Sequence, residues 1–363
     1  MTGVSVAAVA LHDSDFLCVG VFMGHGWILI ECMGNGEPTL VFDRVRPRRY
    51  SSIRRRDNLR SPQVTAALLT MVGDVAGSGS SVRRVFSADK NESLRMVAHP
   101  VEGPAGSVHG VQVWVGLEHE LPPPRRLIGA FLWDPATQLT HHGPTIETEI
   151  LGITDPQTTR VSPEVFKYFE AFPREGELGT YVADIMSGST TDGEAFDSDI
   201  TIRRDDGDLA QVYMTMRAVK NGYDTWELRG IVHDITDVRE PSSAAAYNRR
   251  TARVVARLVD GEWGIGHVDF ATGIVTEWLA EPPAPLDRWA TQNAEFHPDD
   301  MSTVMDAQIA VATERVPRAE YVVRVRFTDG PWHGARITLT AATAGFNGHG
   351  LMRVESASRE GKV

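Results

Sequence analysis

The spacing of apolar positions changes period several times along the chain, and each change marks an element. Short apolar runs at Trp27-Ile-Leu-Ile-Glu and Pro38-Thr-Leu-Val-Phe, parted by Gly34-Asn-Gly-Glu, predict a pair of strands. The period then lengthens. Val64, Leu68, Met71, Val72 and Val75 recur at helical spacing behind Ser61, a cap residue, and Pro62 at the first helical position, and Gly77 closes the segment. Three strand-like runs follow, Val82 to Phe86, Leu94 to Val101 and Gly110 to Gly116.

After Leu121-Pro-Pro-Pro-Arg-Arg, a stiff segment that reads as a strut, the order of elements starts again. Leu127 to Asp134 is a strand. Ser162 and Pro163 open a helix whose Val165, Phe166, Phe169 and Phe172 form an apolar face. Phe196, Ser198, Ile200 and Ile202 alternate with polar residues, Asp205-Asp-Gly-Asp turns the chain, and Val212, Met214, Met216 and Ala218 alternate again. Asn221-Gly222 is a hairpin signal leading to Trp226 to Asp234. Ser242 to Leu258 predicts a connecting helix with Tyr247, Thr251, Val254, Val255 and Leu258 on one side. The second order then recurs: strands at Gly264 to Phe270 and Gly273 to Trp278, a helix over Met301 to Val311, and strands at Tyr321 to Phe327, Ala335 to Ala341 and Leu351 to Ser356. The repeat is architectural and not one of sequence.

The fold class is therefore α+β, three tandem modules, each a central antiparallel sheet with short helices on it. The boundaries read as a leader over 1–24, a first module over 25–120, a Pro-rich linker over 121–126, a second module over 127–240, a connecting helix over 241–258, a third module over 259–358 and a tail over 359–363. A length of 363 residues suits three modules, and 42% hydrophobic with 23% charged residues suits packed cores.

Charge and cysteine content narrow the function classes. A net charge of −12 works against non-specific binding to nucleic acid or anionic membranes. Two cysteines, Cys18 and Cys32, make neither a disulfide framework nor a four-cysteine zinc site, so a cytoplasmic setting is expected. The apolar leader lacks a basic start and is too short to span a bilayer. No Gly-x-Ser-x-Gly, P-loop or dinucleotide motif occurs, and no catalytic role is expected. Histidines 141, 142, 233, 267, 297 and 333 show no metal-ligand spacing, with His141-His142 read as part of a turn, and Asp205, Asp206 and Asp208 lack the rest of a calcium loop; no cofactor or metal is expected.

Certain residues carry a family resemblance. Gly230-Ile-Val-His-Asp-Ile-Thr-Asp-Val resembles the closing strand and exit motif of a PAS domain. Phe131-Leu-Trp-Asp, Glu149-Ile-Leu-Gly, Arg203-Arg-Asp-Asp-Gly-Asp and, in the third module, Phe296-His-Pro-Asp-Asp are similar to other PAS segments. The first module resembles a GAF domain in element order and in its strand Val111-Gln-Val-Trp-Val-Gly. The whole resembles actinobacterial orphan proteins with a GAF-PAS-PAS layout and no attached enzyme. That resemblance implies a sensor or adaptor which binds a small apolar ligand, a protein partner or both, and signals through a separate output partner. Dimerisation stays open.

Two sets of candidate site residues follow. A PAS ligand lies between helices and sheet, which nominates Phe166, Phe169, Phe172, Tyr181, Met186, Met214, Met216 and Trp226, either as a pocket or as a filled core. Separately, eight arginines fall in the seventeen residues from Arg44 to Arg60, and Arg48, Arg49, Arg54, Arg55 and Arg56 are candidates for an anion or partner patch. The competing reading is a solvated loop, or pairing with this acidic chain's own carboxylates. The remaining alternatives are a scaffold without any ligand and a binder of nucleic acid or another anion through Arg44 to Arg60.

Overall fold

The computed structural model describes residues 26–55, 62–89, 92–242, 251, 253–256, 258, 261–341 and 348–357. They build three antiparallel sheets in succession along the chain. In the first module, β1 (Ile28–Glu31), β2 (Thr39–Asp43) and β3 (Arg46–Ser52) precede α1 (Pro62–Ser78), and β4 (Val82–Asp89), β5 (Glu92–Glu102) and β6 (Val108–Leu117) follow it. The strand order is β3-β2-β1-β6-β5-β4. Val64, Leu68, Met71, Val72 and Val75 of α1 are all buried against Ile28, Ile30, Met96, Val111 and Val113. The helix runs past Gly77: the left-handed residue that ends it is Gly79, at φ 64°, whose N–H returns to the Val75 carbonyl.

Arg46 to Ser52, for which a solvated loop is one reading of the sequence, is the edge strand β3. Four of its seven residues are arginine or proline, so no apolar alternation announces it, yet an edge strand needs only one paired side.

The second module holds β7 (Ile128–Asp134), β8 (Leu139–His142), β9 (Thr159–Val161), α2 (Ser162–Phe166), β10 (Phe169–Ala171), α3 (Glu175–Met186), β11 (Ala195–Arg203), β12 (Leu209–Lys220) and β13 (Trp226–Asp234). Their order is β10-β11-β12-β13-β7-β8-β9. One expectation is corrected here. The Ser162 helix stops after Phe166, and Phe169 lies on β10, paired with Ile202, so the phenylalanines do not share a helix face. The hairpin at Asn221 is present, but β12 and β13 last pair at Lys220 and Trp226. The five residues between need Asn221 Oδ1 to accept from the N–H groups of Tyr223 and Thr225, and Asp224 takes the positive φ.

The third module contains β14 (Trp263–Asp269), β15 (Val275–Ala280), β16 (Ala294–Phe296), α4 (Met301–Ala312), β17 (Arg318–Phe327), β18 (His333–Ala341) and β19 (His349–Ser356), ordered β15-β14-β19-β18-β17-β16. Leaving aside the short strands β9, β10 and β16, both later sheets place their first strand between their second and their last: β8-β7-β13-β12-β11 and β15-β14-β19-β18-β17. In the third module the concave side is filled by Trp278, Trp289, Phe296 and Phe327, with ring centroids 5.8–6.2 Å apart around Trp289.

The first two sheets pack back to back. Leu29, Met33, Val41 and Phe42 meet Ile128, Ala130, Tyr213 and Ile231 in one buried cluster. The period-2 geometry of β12 makes this possible, because Tyr213 faces the first module while Met214 and Met216 face the second module's own core. Of the connecting segment, residues 251, 253–256 and 258 are helical; Tyr247 lies outside the described residues, and Val254, Val255 and Leu258 are exposed.

Candidate functional site

The concave side of the second sheet is not filled. Between it and α2, α3 and the Ile146–Ile150 turn lies a cavity of about 130 Å³, walled by Phe131, Trp133, Ile150, Phe166, Phe169, Leu178, Val182, Ile200, Val212, Met214 and Met216. An apolar cavity of about 150 Å³ stays dry and accepts a benzene-sized guest, so this space suits a small apolar molecule. Ile146–Ile150 is one turn of wide π-helix, with the Leu151 N–H reaching the Ile146 carbonyl; it delivers Ile146 and Ile150 to the cavity.

The same turn carries Glu147, which is buried and anchors the polar end of the wall. Its carboxylate accepts from Arg160 Nε at 2.5 Å and Nη2 at 2.8 Å, from His142 Nδ1 at 2.7 Å and from the Gln157 N–H at 2.8 Å. Burial alone would raise its pKa, but these donors win and bring it to about 2. His142 lines the cavity, and its burial holds its pKa below the usual value despite the carboxylate. A neutral His142 that donates Nδ1–H to Glu147 keeps Nε2 as an acceptor. His141 and His142, expected in a turn, lie on β8, so their side chains leave opposite faces: His142 goes to Glu147 and His141 to Thr159.

The cavity is not closed by its own module. Asp269, Thr272, Ile274, Thr276 and His349 of the third module complete its wall. Two contacts set this seam. At Gly179 on α3 a Cβ would lie 2.1 Å from Asp269 Oδ2, so any larger residue there obliges the Asp269 side chain to move. At the far side, Arg253 donates from Nε to Glu277 of β15 at 2.6 Å and from Nη2 to the Lys167 carbonyl just past α2 at 3.0 Å, and its Nη1 lies 3.6 Å from Glu170 of β10. The α2 helix, which lines the cavity, packs on β15. Thr276 is 8% exposed and its hydroxyl finds no partner among the described residues, an arrangement that costs about 1–3 kcal/mol.

Of the residues nominated from sequence, Phe166, Phe169, Met214 and Met216 line the cavity. Phe172 and Tyr181 sit beside it in the packed core: Phe172 touches the Phe169 and Phe196 rings, and Tyr181 stacks on Phe196 and donates its hydroxyl to the Glu194 carbonyl. Trp226 packs on the rim of that core under Lys220 Nζ. Met186, at the last position of α3, is 41% exposed and takes no part. Residues missed from sequence include Phe131, Trp133, His142, Ile146, Ile150, Leu178 and the third-module rim.

The arginine-rich segment resolves into ion pairs. Arg48 meets Asp43 at 3.2 Å, Arg49 meets Asp197 of the second module at 3.5 Å, and Arg54 meets Glu37 at 3.0 Å. Arg55 is placed only through its backbone, and Arg56 lies outside the described residues. Cys32 is half-buried among apolar neighbours, which push its thiol up to about 12. Among the described residues there is no cluster of side chains fit to hold a metal ion, and no helix is long and apolar enough to cross a membrane.

Comparison with known proteins places part of this arrangement. Residues 26–124 match the protein family described as Rv3651-like, N-terminal. The crystal structure of an uncharacterized protein from Mycobacterium tuberculosis is similar over 93% of this chain and 98% of its own, with a TM-score of 0.66 at 21% identity; it shows a shared fold. A sensory box histidine kinase/response regulator from Burkholderia thailandensis E264 (16% identity, 37% of this chain, 93% of its own) and an RNA-binding light-oxygen-voltage receptor (9% identity, 63% and 95%) align with TM-scores of only 0.22 and 0.24, too low to carry an argument. Comparison with curated proteins returns no match.

Proposed function

We propose that this chain is a non-catalytic sensor or adaptor, built of a GAF-like and two PAS-like modules, in which the second module holds a small apolar ligand and reports its presence through the seam with the third. The observation that carries this reading is the composition of the cavity wall: one module supplies the receptor and the next supplies the rim. A ligand touching both changes how they pack by its differential affinity for the open and closed seam, and by no more than that. The third module, with Trp289 in the corresponding place, acts as the reader. Output passes to a separate protein that recognises the changed seam.

Toluene, a probe near the size of the cavity, tests this with protein carrying 13C at its methionine methyl groups. The Met214 and Met216 signals move on titration, while Met96, enclosed in the first module's core, stays put. Unmoved Met214 and Met216 signals at millimolar toluene would sink the reading in favour of a scaffold. Native mass spectrometry beside the denatured mass then seeks a ligand carried through purification.

A further inference from the structure

Resting on the reading of the cavity as a ligand site, we infer that its ligand carries a hydrogen-bond donor on an otherwise apolar body, and that Nε2 of His142 accepts it. A phenol, an alcohol or an aromatic N–H fits that description. The placement follows from strand register. His142 on β8 stands directly opposite Phe131 on β7, and facing residues of paired strands share a side of the sheet, so both side chains enter the concave space. The His142 side chain is 3% exposed. Its Nδ1 is taken by Glu147, whereas Nε2 has no partner among the described residues and is not one of the polar atoms sealed from open space. On that side of the sheet, the space it opens on is the cavity.

The pair behind the ring sets the direction of the bond. Glu147 is an ionised acceptor held by Arg160 and the Gln157 N–H, so Nδ1 carries the proton of the His142–Glu147 bond. Burial keeps the imidazole neutral, and a neutral ring with Nδ1–H presents a bare lone pair at Nε2. An acceptor brought there meets lone pair against lone pair; a donor satisfies it. No other polar group on the wall reverses this preference. The hydroxyls of Thr140 and Ser162 donate as readily as they accept, and the carboxylates of Glu175 and Asp269 call for a donor as Nε2 does. The Thr276 hydroxyl and His349 Nε2 are enclosed. Phe131, Ile146, Ile150 and Met214 offer van der Waals contact alone, which makes the body apolar.

The test compares phenol, fluorobenzene and pyridine at mildly alkaline pH, which keeps pyridine neutral; the three share one ring size and present a donor, no hydrogen-bonding group of weight, and an acceptor. In a uniformly apolar cavity fluorobenzene binds tightest, because burying a hydroxyl or a ring nitrogen without a partner costs free energy. Here Nε2 is out of bulk water before the ligand arrives, and we expect phenol to bind about tenfold tighter than fluorobenzene, with pyridine weakest. His142→Leu removes the acceptor while Glu147 keeps Arg160 and the Gln157 N–H. Phenol then binds no tighter than fluorobenzene, whose continued binding reports an intact cavity; a phenol preference that survives the substitution overturns the assignment to His142. Should the variant not fold, unaltered protein carrying 15N at its histidines answers: phenol shifts the His142 Nε2 resonance and fluorobenzene leaves it nearly in place, and an Nε2 signal unmoved at saturating phenol overturns the proposal. Equal affinity for phenol and fluorobenzene in the unaltered protein, or tighter binding of pyridine, overturns the donor assignment and leaves the cavity reading standing. Failure of all three probes to bind overturns both.

Discussion

The two seams of this molecule are built on opposite plans. Between the first and second modules, two sheets close on a continuous apolar layer; some polar groups beside it are tied across, while both ring nitrogens of His233 find no partner among the described residues. Glu31, buried, takes hydrogen bonds from Arg217 at 2.8 Å, from Met33 N–H and from Thr39. The Tyr50 hydroxyl lies 2.7 Å from the Phe196 and Met216 carbonyls. Between the second and third modules, the contact is a helix on a strand, an arginine clasp and the edge of a cavity. The first seam is an apolar layer with a polar cleft at its edge, whereas the second carries an apolar cavity shared between the two modules. Interfaces of the first kind fuse modules; those of the second kind can respond to what enters them.

The difference is broken most severely by attacking the first seam. Glu31→Ala leaves Arg217 without its carboxylate in a buried layer, and a loss of about 3 kcal/mol or more in urea denaturation is expected. Replacing Arg217 by methionine in the same protein recovers part of it; a full loss in the double variant would show that the pair itself is not what matters.

Acid provides the next largest effect, again at the first seam. His233 is fully enclosed with an edge toward the Phe42 ring, and His109 donates to the Gly230 carbonyl; desolvation lowers their pKa values to about 3 and about 4. Both are neutral when folded, and an unfolded histidine takes a proton near pH 6.5. Below that pH the unfolded chain binds more protons than the native one, so stability is full above about 6.5 and falls as the pH drops toward 4. The slope is about 1.4 kcal/mol per pH unit for each histidine, or about 2 kcal/mol each between pH 6.5 and 5. His233→Phe halves the dependence; an unchanged profile would assign it to other groups.

The smallest effect belongs to the second seam. Arg253→Ala costs about 1–2 kcal/mol, the worth of a charge-assisted contact, and the damage stays local. Hydrogen exchange speeds up in α2 and β15 while β1 and β6 keep their protection. Loosening at β1 and β6 as well would mean that the two seams act as one.

The sequence discloses those parts of this molecule that depend on neighbours along the chain. The apolar spacing in α1 and the alternation in β11 and β12 locate a helix and a hairpin because one face of each is buried. Phe166, Phe169 and Phe172 mislead, since three aromatic residues at helical spacing also satisfy a turn of helix followed by a short strand. Glu147 meets Arg160 thirteen residues on and His142 five residues back, separations that follow no single period. The rim is still less legible: Thr276 and Phe166 come from different modules yet line one cavity, and Gly179 at their seam reads in a helical pattern as merely unfavourable.

The arginines of β3 have a final consequence, for association between copies. An edge strand offers unpaired N–H and C=O groups to any extended segment, and the first sheet ends on β3 at one side and β4 at the other. Arg46-Pro-Arg-Arg on the one and the exposed Arg83-Arg on the other put charge where a docking strand would lie, and Pro47 removes a donor from the ladder. The segment that looks most like a recognition element in the linear chain thus guards the first sheet against being lengthened by a neighbour's backbone.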